Sequence, residues 1–259
     1  MSSKPASARC LEGLDVLVLA GGLGLRMREA LDGGPKVLAP VAGRPFLDHL
    51  LDWLAGFGAR RIVLALGYGA EAVLGHLAGL QKSGLALESV VEPSPLGTAG
   101  AIRFARSRLS SDPVLVVNGD SFVDADLCDL VERHRRTGAL GTLLCAEVED
   151  AGRYGRVAID AGGRIAGFIE KDASHRSRAM ISAGVYLLSR RLLDEIAAGT
   201  AVSLERDVFE CLPAGSLAAL AGRYGFIDIG TPESFARAAE MLGGLAPEAA
   251  PADAGGPRR

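Results

Sequence analysis

Four apolar runs, DVLVLA (15–20), RIVLAL (61–66), ALESVV (86–91) and PVLVVN (113–118), alternate with amphipathic stretches through the first half of the chain. Short runs of this kind predict buried strands. Between them RPFLDHLLDWLAGF, GAEAVLGHLAGL and TAGAIRFARSRL carry apolar residues three and four apart, which predicts helices. Such alternation leads to parallel βαβ units, right-handed crossovers and helices on both faces of one sheet. The expected fold class is therefore α/β, with a Rossmann-like, mixed and mostly parallel sheet flanked by helices.

The second half changes character. GALGTLLCAEV, GRVAID, GRIAGFIEK and AMISAGVYLLS read as strands between glycine turns. SLERDVFECL predicts a helix, RYGFIDIG a last strand, and TPESFARAAEML a closing helix. In the last, Thr231 is placed to cap, Pro232 takes the first helical position and Glu233 adds an acid to the first turn. No fixed-period repeat is present and no hexapeptide array follows residue 243, so no β-helix domain is expected. Small polar residues over 1–13, and proline, alanine and glycine over 244–259, predict disordered tails around a single domain at 14–243.

With 49% apolar residues, 259 residues suffice for a full core. A net charge of −3 gives no basic footprint for nucleic acid. No apolar run reaches the ~20 residues of a membrane helix, and MSSKPASARC lacks the apolar centre of a signal peptide. A cytoplasmic protein without nucleic-acid or membrane partners is expected. Cys10, Cys128, Cys145 and Cys211 lie far apart, so reduced structural thiols are expected rather than a disulfide framework or zinc site. His49, His76, His134 and His175 show no metal-ligand spacing.

In an open α/β sheet, ligands bind beyond the carboxyl ends of the strands. The strand at 15–20 runs into Gly21-Gly22-Leu23-Gly24-Leu25-Arg26, and Pro35-Lys36 follows. Glycines let backbone N–H groups approach an anion closely, and two cations beyond them point to a polyphosphate. A dinucleotide fold is the first rival. Its third glycine is missing, since position 27 is Met, and no ribose-binding acid ends a strand some 20 residues on. A second strand ends in Asn118-Gly119-Asp120 and a later one in Asp228. Two strand-end aspartates could share one Mg²⁺ against phosphates. Asp124 and Asp126 read as turn or cap residues, and the ERHRR helix end (132–136) as a solvated surface.

Taken together, Gly21-Gly22-x-Gly24-x-Arg26 with Pro35-Lys36, Asn118-Gly119-Asp120, EK at 170–171, SAGVYLL at 182–188 and FIDIGTPE at 226–233 resemble the sugar-1-phosphate nucleotidyltransferases. The motifs occur in that family's order over roughly residues 14–240. Within it the chain is most similar to the D-glycero-D-manno-heptose 1-phosphate guanylyltransferases, through APVAGRPFLDHLLDWL, ALGYGAEAV, PLGTAGAI, GRYGRVAID and GFIDIGTPESF. Mannose-1-phosphate guanylyltransferases share much of that set.

The resemblance implies the nucleotide-diphospho-sugar transferase fold and transfer of GMP from GTP to a sugar 1-phosphate, releasing pyrophosphate, by a monomer or homodimer. It implies that Arg26 steadies the β and γ phosphates, that Lys36 bridges to the α-phosphate and that Lys171 grips the sugar phosphate. Asp120 and Asp228 would hold Mg²⁺. Ala20, Gly21, Gly22, Gly24, Gly97, Thr98, Asn118 and Gly119 would line the nucleotide, with Glu92 facing the base. Tyr154, Gly155, Glu170, Ser182, Ala183 and Gly184 would contact the sugar. Ser182 departs from the asparagine common in the family, and Phe226 from its tryptophan. A non-catalytic regulatory paralogue is the rival class. The retained Arg26, Lys36, Asp120, Lys171 and Asp228 argue for an enzyme.

Overall fold

The computed structural model describes residues 9–22, 24, 31, 33–80, 82–172, 174 and 176–243. Along the chain lie β1 (Asp15–Ala20), β2 (Pro40–Val41), β3 (Arg44–Pro45), α1 (Phe46–Gly56), β4 (Arg61–Leu66), α2 (Ala70–Gly79) and β5 (Ala86–Val91). Next come α3 (Gly97–Ala105), β6 (Val114–Asn118), β7 (Ser121–Asp124), α4 (Leu127–Thr137), β8 (Gly141–Val148), β9 (Arg156–Ile159) and β10 (Ile165–Ile169). The last elements are β11 (Ala179–Leu188), α5 (Arg190–Glu195), β12 (Leu217–Gly222), β13 (Gly225–Asp228) and α6 (Pro232–Gly243).

Nine strands form one mixed sheet, ordered β10-β9-β11-β6-β1-β4-β5, with β8 on β11 and β12 on β8. The side built by the first half of the chain is parallel: β1 lies between β4 and β6, and β5 follows β4. β11 runs antiparallel to both β6 and β8. This is the expected α/β class, with the glycine-spaced strands of the second half supplying the antiparallel part. Alternate residues of β1 enter opposite cores. Val16 and Val18 pack with α1, α2, α4 and α6, whereas Leu17 packs with α3 and α5. From α1, Phe46, Leu47, Leu50, Leu51 and Leu54 are fully buried, each worth about 1.5–3 kcal/mol relative to exposure.

Local capping agrees with the sequence in several places. Asp126 caps α4 by accepting from the Cys128 N–H (2.7 Å), and Thr231 Oγ1 accepts from the Ser234 N–H (3.3 Å) at the start of α6. SLERDVFECL forms an irregular helical turn at Leu204–Val208 and a tighter one at Phe209–Cys211 instead of a regular helix. Its first donors are held elsewhere, the Ser203 N–H by Asp207 and the Leu204 N–H by Thr98 Oγ1. The alanine-rich β12 and the short β7 carried no strand signal, and both form through pairing with neighbours.

Three expectations need correction. Residues 9–13, assigned to the amino-terminal tail, join the fold: Leu11 is fully buried and its N–H donates to Phe57 O (3.1 Å). Residues 1–8 and 244–259 lie outside the described residues. Cys10 and Cys128, expected as thiols, form a disulfide across 118 residues, while Cys145 and Cys211 are free. The fold brings the segment before β1 against the first turn of α4, a proximity no spacing rule reveals. Lastly, ERHRR is only partly solvated: Arg133 bonds the carbonyls of Ala219, Gly162 and Gly163, and His134 is buried against Thr142 Oγ1 (2.9 Å).

A bridge closing so long a loop is worth about 2–4 kcal/mol in the chain-entropy account. Cys128→Ser is therefore expected to lower the melting temperature by roughly 5–12 °C, read by calorimetry with and without reductant. Reductant should lower the wild-type value alike and leave the variant unmoved.

Candidate active site

β1 and β6 end side by side, and the loops leaving them form a cavity of about 390 Å³. Ala20, Gly21, Gly22 and Gly24 make one wall, Glu92, Gly97 and Thr98 another, and Lys36, Asn118 and Asp120 stand at its edge. The close approach of backbones explains the first glycine. A Cβ on Gly21 would lie 2.5 Å from Glu92 Oε1 and 3.2 Å from the Gly67 nitrogen. Gly119 sits behind the wall, its N–H donating to Leu19 O (2.8 Å). Arg26 lies outside the described residues.

Glu92 follows β5, and its Oε2 accepts the Leu96 N–H at 2.8 Å. Burial raises its pKa above the ordinary carboxylate value, partly offset by that hydrogen bond. Thr98 opens α3, where Val202 O accepts from the N–H groups of Ala99 (2.9 Å) and Gly100 (3.3 Å). The start of α3 is thus closed by the segment at 202–204.

Lys36 projects from a single helical turn after Pro35, and its Nζ donates to Asp120 Oδ2 at 2.8 Å. β13 pairs with β7 so that Asp228 faces Ser121, and the Ile229 N–H donates to Asp120 O (2.9 Å). Two aspartates more than a hundred residues apart in sequence are thereby brought together. Gly230 leaves room between Asp228 and Lys36: a Cβ there would stand 2.4 Å from Asp228 Oδ1 and 3.5 Å from Lys36 Nζ. Asp228 accepts from the Gly230 N–H (2.8 Å), from Arg153 Nη2 (3.2 Å) and from the Tyr154 hydroxyl. Burial, reinforced by the Asp228 carboxylate, raises the Tyr154 pKa. Phe226 packs edge-on against the Tyr154 ring at 5.6 Å, in accord with a packing role.

The residues expected at the sugar lie on β11 and around β9 and β10. β11 breaks register with β8 between Ser182 and Tyr186. At that break Gly184 has φ +73°, and a Cβ on it would lie 2.6 Å from Asn118 Nδ2, so no side chain fits there. Ser182 Oγ donates to the Tyr186 hydroxyl (3.1 Å), and Ala183 is buried. Tyr154 and Gly155 precede β9, while Glu170 and Lys171 follow β10 and are exposed. Lys171 forms no ion pair among the described residues.

Against families of known proteins, the Nucleotidyl transferase profile matches residues 15–243. The chain belongs to this family. Among curated relatives, this nucleotidyl transferase is 36% identical over 244 residues to mannose-1-phosphate guanylyltransferase of Mycobacterium tuberculosis, covering 92% of this chain and 67% of that one. It is 31% identical over 231 residues to D-glycero-alpha-D-manno-heptose 1-phosphate guanylyltransferase of Aneurinibacillus thermoaerophilus, covering 88% of this chain and 98% of that one. Several further mannose-1-phosphate relatives are matched over only about 61–63% of their own length. The crystal structure of HddC from Yersinia pseudotuberculosis complexed with GMP-PN superposes with a TM-score of 0.79 at 29% identity, covering 88% of this chain and 99% of that one.

Two residues of the site escaped sequence reading. Arg153, immediately before Tyr154, pairs with Asp228 and lies 5.5 Å from the Tyr154 ring centre. Glu205 sits in the segment read as an ordinary helix. Arg153 lies inside the GRYGR motif, where only Tyr154 and Gly155 were singled out, and nothing in SLERDV marked Glu205. The basic stretch at 174–178 reads as solvated: Arg178 is an exposed partner of Glu149, and His175 lies outside the described residues. His49 and His76 are satisfied away from the cavity by Val41 O and Asp48.

Proposed function

We propose that this nucleotidyl transferase moves GMP from GTP onto a sugar 1-phosphate, with D-glycero-D-manno-heptose 1-phosphate as acceptor, releasing pyrophosphate. The observation that carries the reading is the Lys36–Asp120 pair in the lining of a glycine-rich cavity, with Asp228 brought next to it by the β7–β13 pairing. Relatives named as guanylyltransferases support the base. Mannose 1-phosphate is the second acceptor to test, because the mannose relative is the more identical of the two reported.

In this reading the backbone N–H groups of the 21–24 loop receive the phosphates. The sugar phosphate is already ionised, so no general base is needed, and the site's task is to align two anions and neutralise their repulsion. At 4 Å two unit charges interact by about 4 kcal/mol at an effective dielectric of 20, so each cation counts. Lys36 faces the α-phosphate, Arg26 the β and γ phosphates, and Lys171 reaches in from its exposed loop to the sugar phosphate.

Asp120 and Asp228 suit Mg²⁺, since both offer hard carboxylate oxygens, Asp120 from the turn just before β7 and Asp228 from the end of its partner β13. Bound there, the ion would supply charge neutralisation and orientation of the phosphates. Without it, each carboxylate is matched by a cation of the chain itself, Asp120 by Lys36 and Asp228 by Arg153.

Glu92 accepts the N1–H and N2–H of guanine, donors that adenine lacks on that edge. Glu92→Gln is expected to raise the KM for GTP about 10- to 100-fold and narrow the preference over ATP. Burial raises the Glu92 pKa, so GTP affinity should decline on acidification at a higher pH than an exposed glutamate would give. An unchanged KM in the glutamine variant would remove Glu92 from base recognition.

The reading is tested by pyrophosphate release with Mg²⁺ across GTP, ATP, CTP, UTP and dTTP against heptose, mannose and glucose 1-phosphates. Strong turnover in the GTP–heptose pair is expected. Turnover confined to GTP–mannose would replace the acceptor, and silence throughout with GTP still bound would point to the regulatory class.

A further inference from the structure

Beside the residues expected at the sugar stands a half-buried carboxyl group that neither the phosphates nor the metal pair accounts for. Glu205 lies in the irregular turn Leu204–Val208. Its Oε1 accepts from the Tyr186 hydroxyl at 3.3 Å, and that hydroxyl accepts from Ser182 Oγ at 3.1 Å. A Cβ on Gly155 would stand 4.0 Å from Glu205 Oε2, so only a glycine's surface separates this oxygen from the Tyr154–Gly155 turn.

Carboxylates withdrawn from water normally meet a cation. Among the described residues none forms an ion pair with Glu205, and its neighbour Arg206 pairs with Asp207 instead (2.9 Å). Burial, with Glu210 and Glu170 nearby, raises the Glu205 pKa. A carboxylate offers about four lone-pair sites, and the Tyr186 hydroxyl fills only one of them. The turn is also held in place: Leu204 N–H donates to Thr98 Oγ1 (2.8 Å), and Ser203 Oγ accepts from the Arg206 N–H (3.3 Å). A fixed, cation-free carboxylate with spare acceptor sites, flanked by hydroxyls and a bare glycine, fits a ligand that brings several O–H donors and no positive charge.

We infer that Glu205 is a specificity-determining residue of the acceptor pocket, its carboxylate accepting hydrogen bonds from sugar hydroxyls in the space left by the short Ser182 and by Gly155. The inference rests on the sugar 1-phosphate reading. It names the residue that reads the ring, whereas Lys171 and the metal pair read the phosphate. The Tyr186 hydroxyl orients the carboxylate and holds one of its oxygens, leaving the other for the ligand.

The test is steady-state kinetics of the full chain and of Glu205→Ala and Glu205→Gln, with heptose, mannose and glucose 1-phosphates and GTP, alongside thermal melting. Glu205→Ala is expected to raise the KM for the preferred sugar 1-phosphate at least tenfold and flatten its preference over the other sugars. The KM for GTP should stay within twofold. Glu205→Gln keeps an acceptor for Tyr186, so it should fold like the wild type and show a smaller rise of about three- to tenfold in the sugar KM alone. Should Glu205→Ala fail to fold, the glutamine variant decides by itself, and a sugar KM within twofold of wild type overturns the assignment. Equal rises in both KM values would assign Glu205 to support of the turn and also overturn it. A wild-type chain silent with every pair would instead sink the functional reading, and this inference with it.

Discussion

Asp228→Asn is expected to lower turnover by about 10²- to 10³-fold while the melting temperature moves by only a few degrees. The carboxylate receives the Gly230 N–H, Arg153 Nη2 and the Tyr154 hydroxyl, and it stands beside Asp120 through the β7–β13 pairing. An asparagine oxygen still accepts from the Gly230 N–H, so the turn after β13 keeps its hydrogen bond. What disappears is one negative charge from a pair proposed to hold a divalent cation. Arg153, 40% exposed in its side chain, can turn to water once its partner is neutral, which limits the cost to the fold. Pyrophosphate release at saturating Mg²⁺ and the melting curve together make the check. Near-normal turnover would remove Asp228 from the metal pair, and a collapsed melting curve would show that its three hydrogen bonds are chiefly structural.

The legibility of this chain in its sequence follows the range of the forces involved. β1, β4 and β6 were readable because each is buried on both sides and so presents an almost unbroken apolar run, whereas ALESVV, expected as a buried strand, forms β5 at the sheet edge and is only half-buried. The glycine loop and Asp120 were readable for a related reason: strand and loop are adjacent in sequence, and ligands gather at strand ends. β12 was not readable, since LAALAG has little intrinsic strand preference and forms by pairing with β8 over its full length. The Cys10–Cys128 bridge and the Glu205–Tyr186–Ser182 chain depend on contacts between distant segments, which local patterns do not encode. Asp228 is an intermediate case. Its strand was visible, but its place beside Asp120 is set by the antiparallel β7–β13 register.

Lys36→Met should separate two effects that a simple loss of activity would merge. The Lys36 side chain is 13% exposed, and its Nζ lies 2.8 Å from Asp120 Oδ2, whose own side chain is 43% exposed. Methionine keeps the length and apolar stem that pack against Gly24 and removes only the charge, so the fold should be retained. If Lys36 serves the α-phosphate, turnover falls by about 10²- to 10³-fold. The aspartate pair, meanwhile, loses a competing cation, so Mg²⁺ alone should bind more tightly, by up to about tenfold. Calorimetric titration with Mg²⁺ in the absence of nucleotide reads the second effect, and pyrophosphate release reads the first. Opposite movement of the two is the expected result, because a cation shared between carboxylate and phosphate opposes the metal in one state and assists it in the other. Weaker Mg²⁺ binding together with slower turnover would mean that Lys36 shapes the carboxylate site itself, and its assignment to the α-phosphate would then fall.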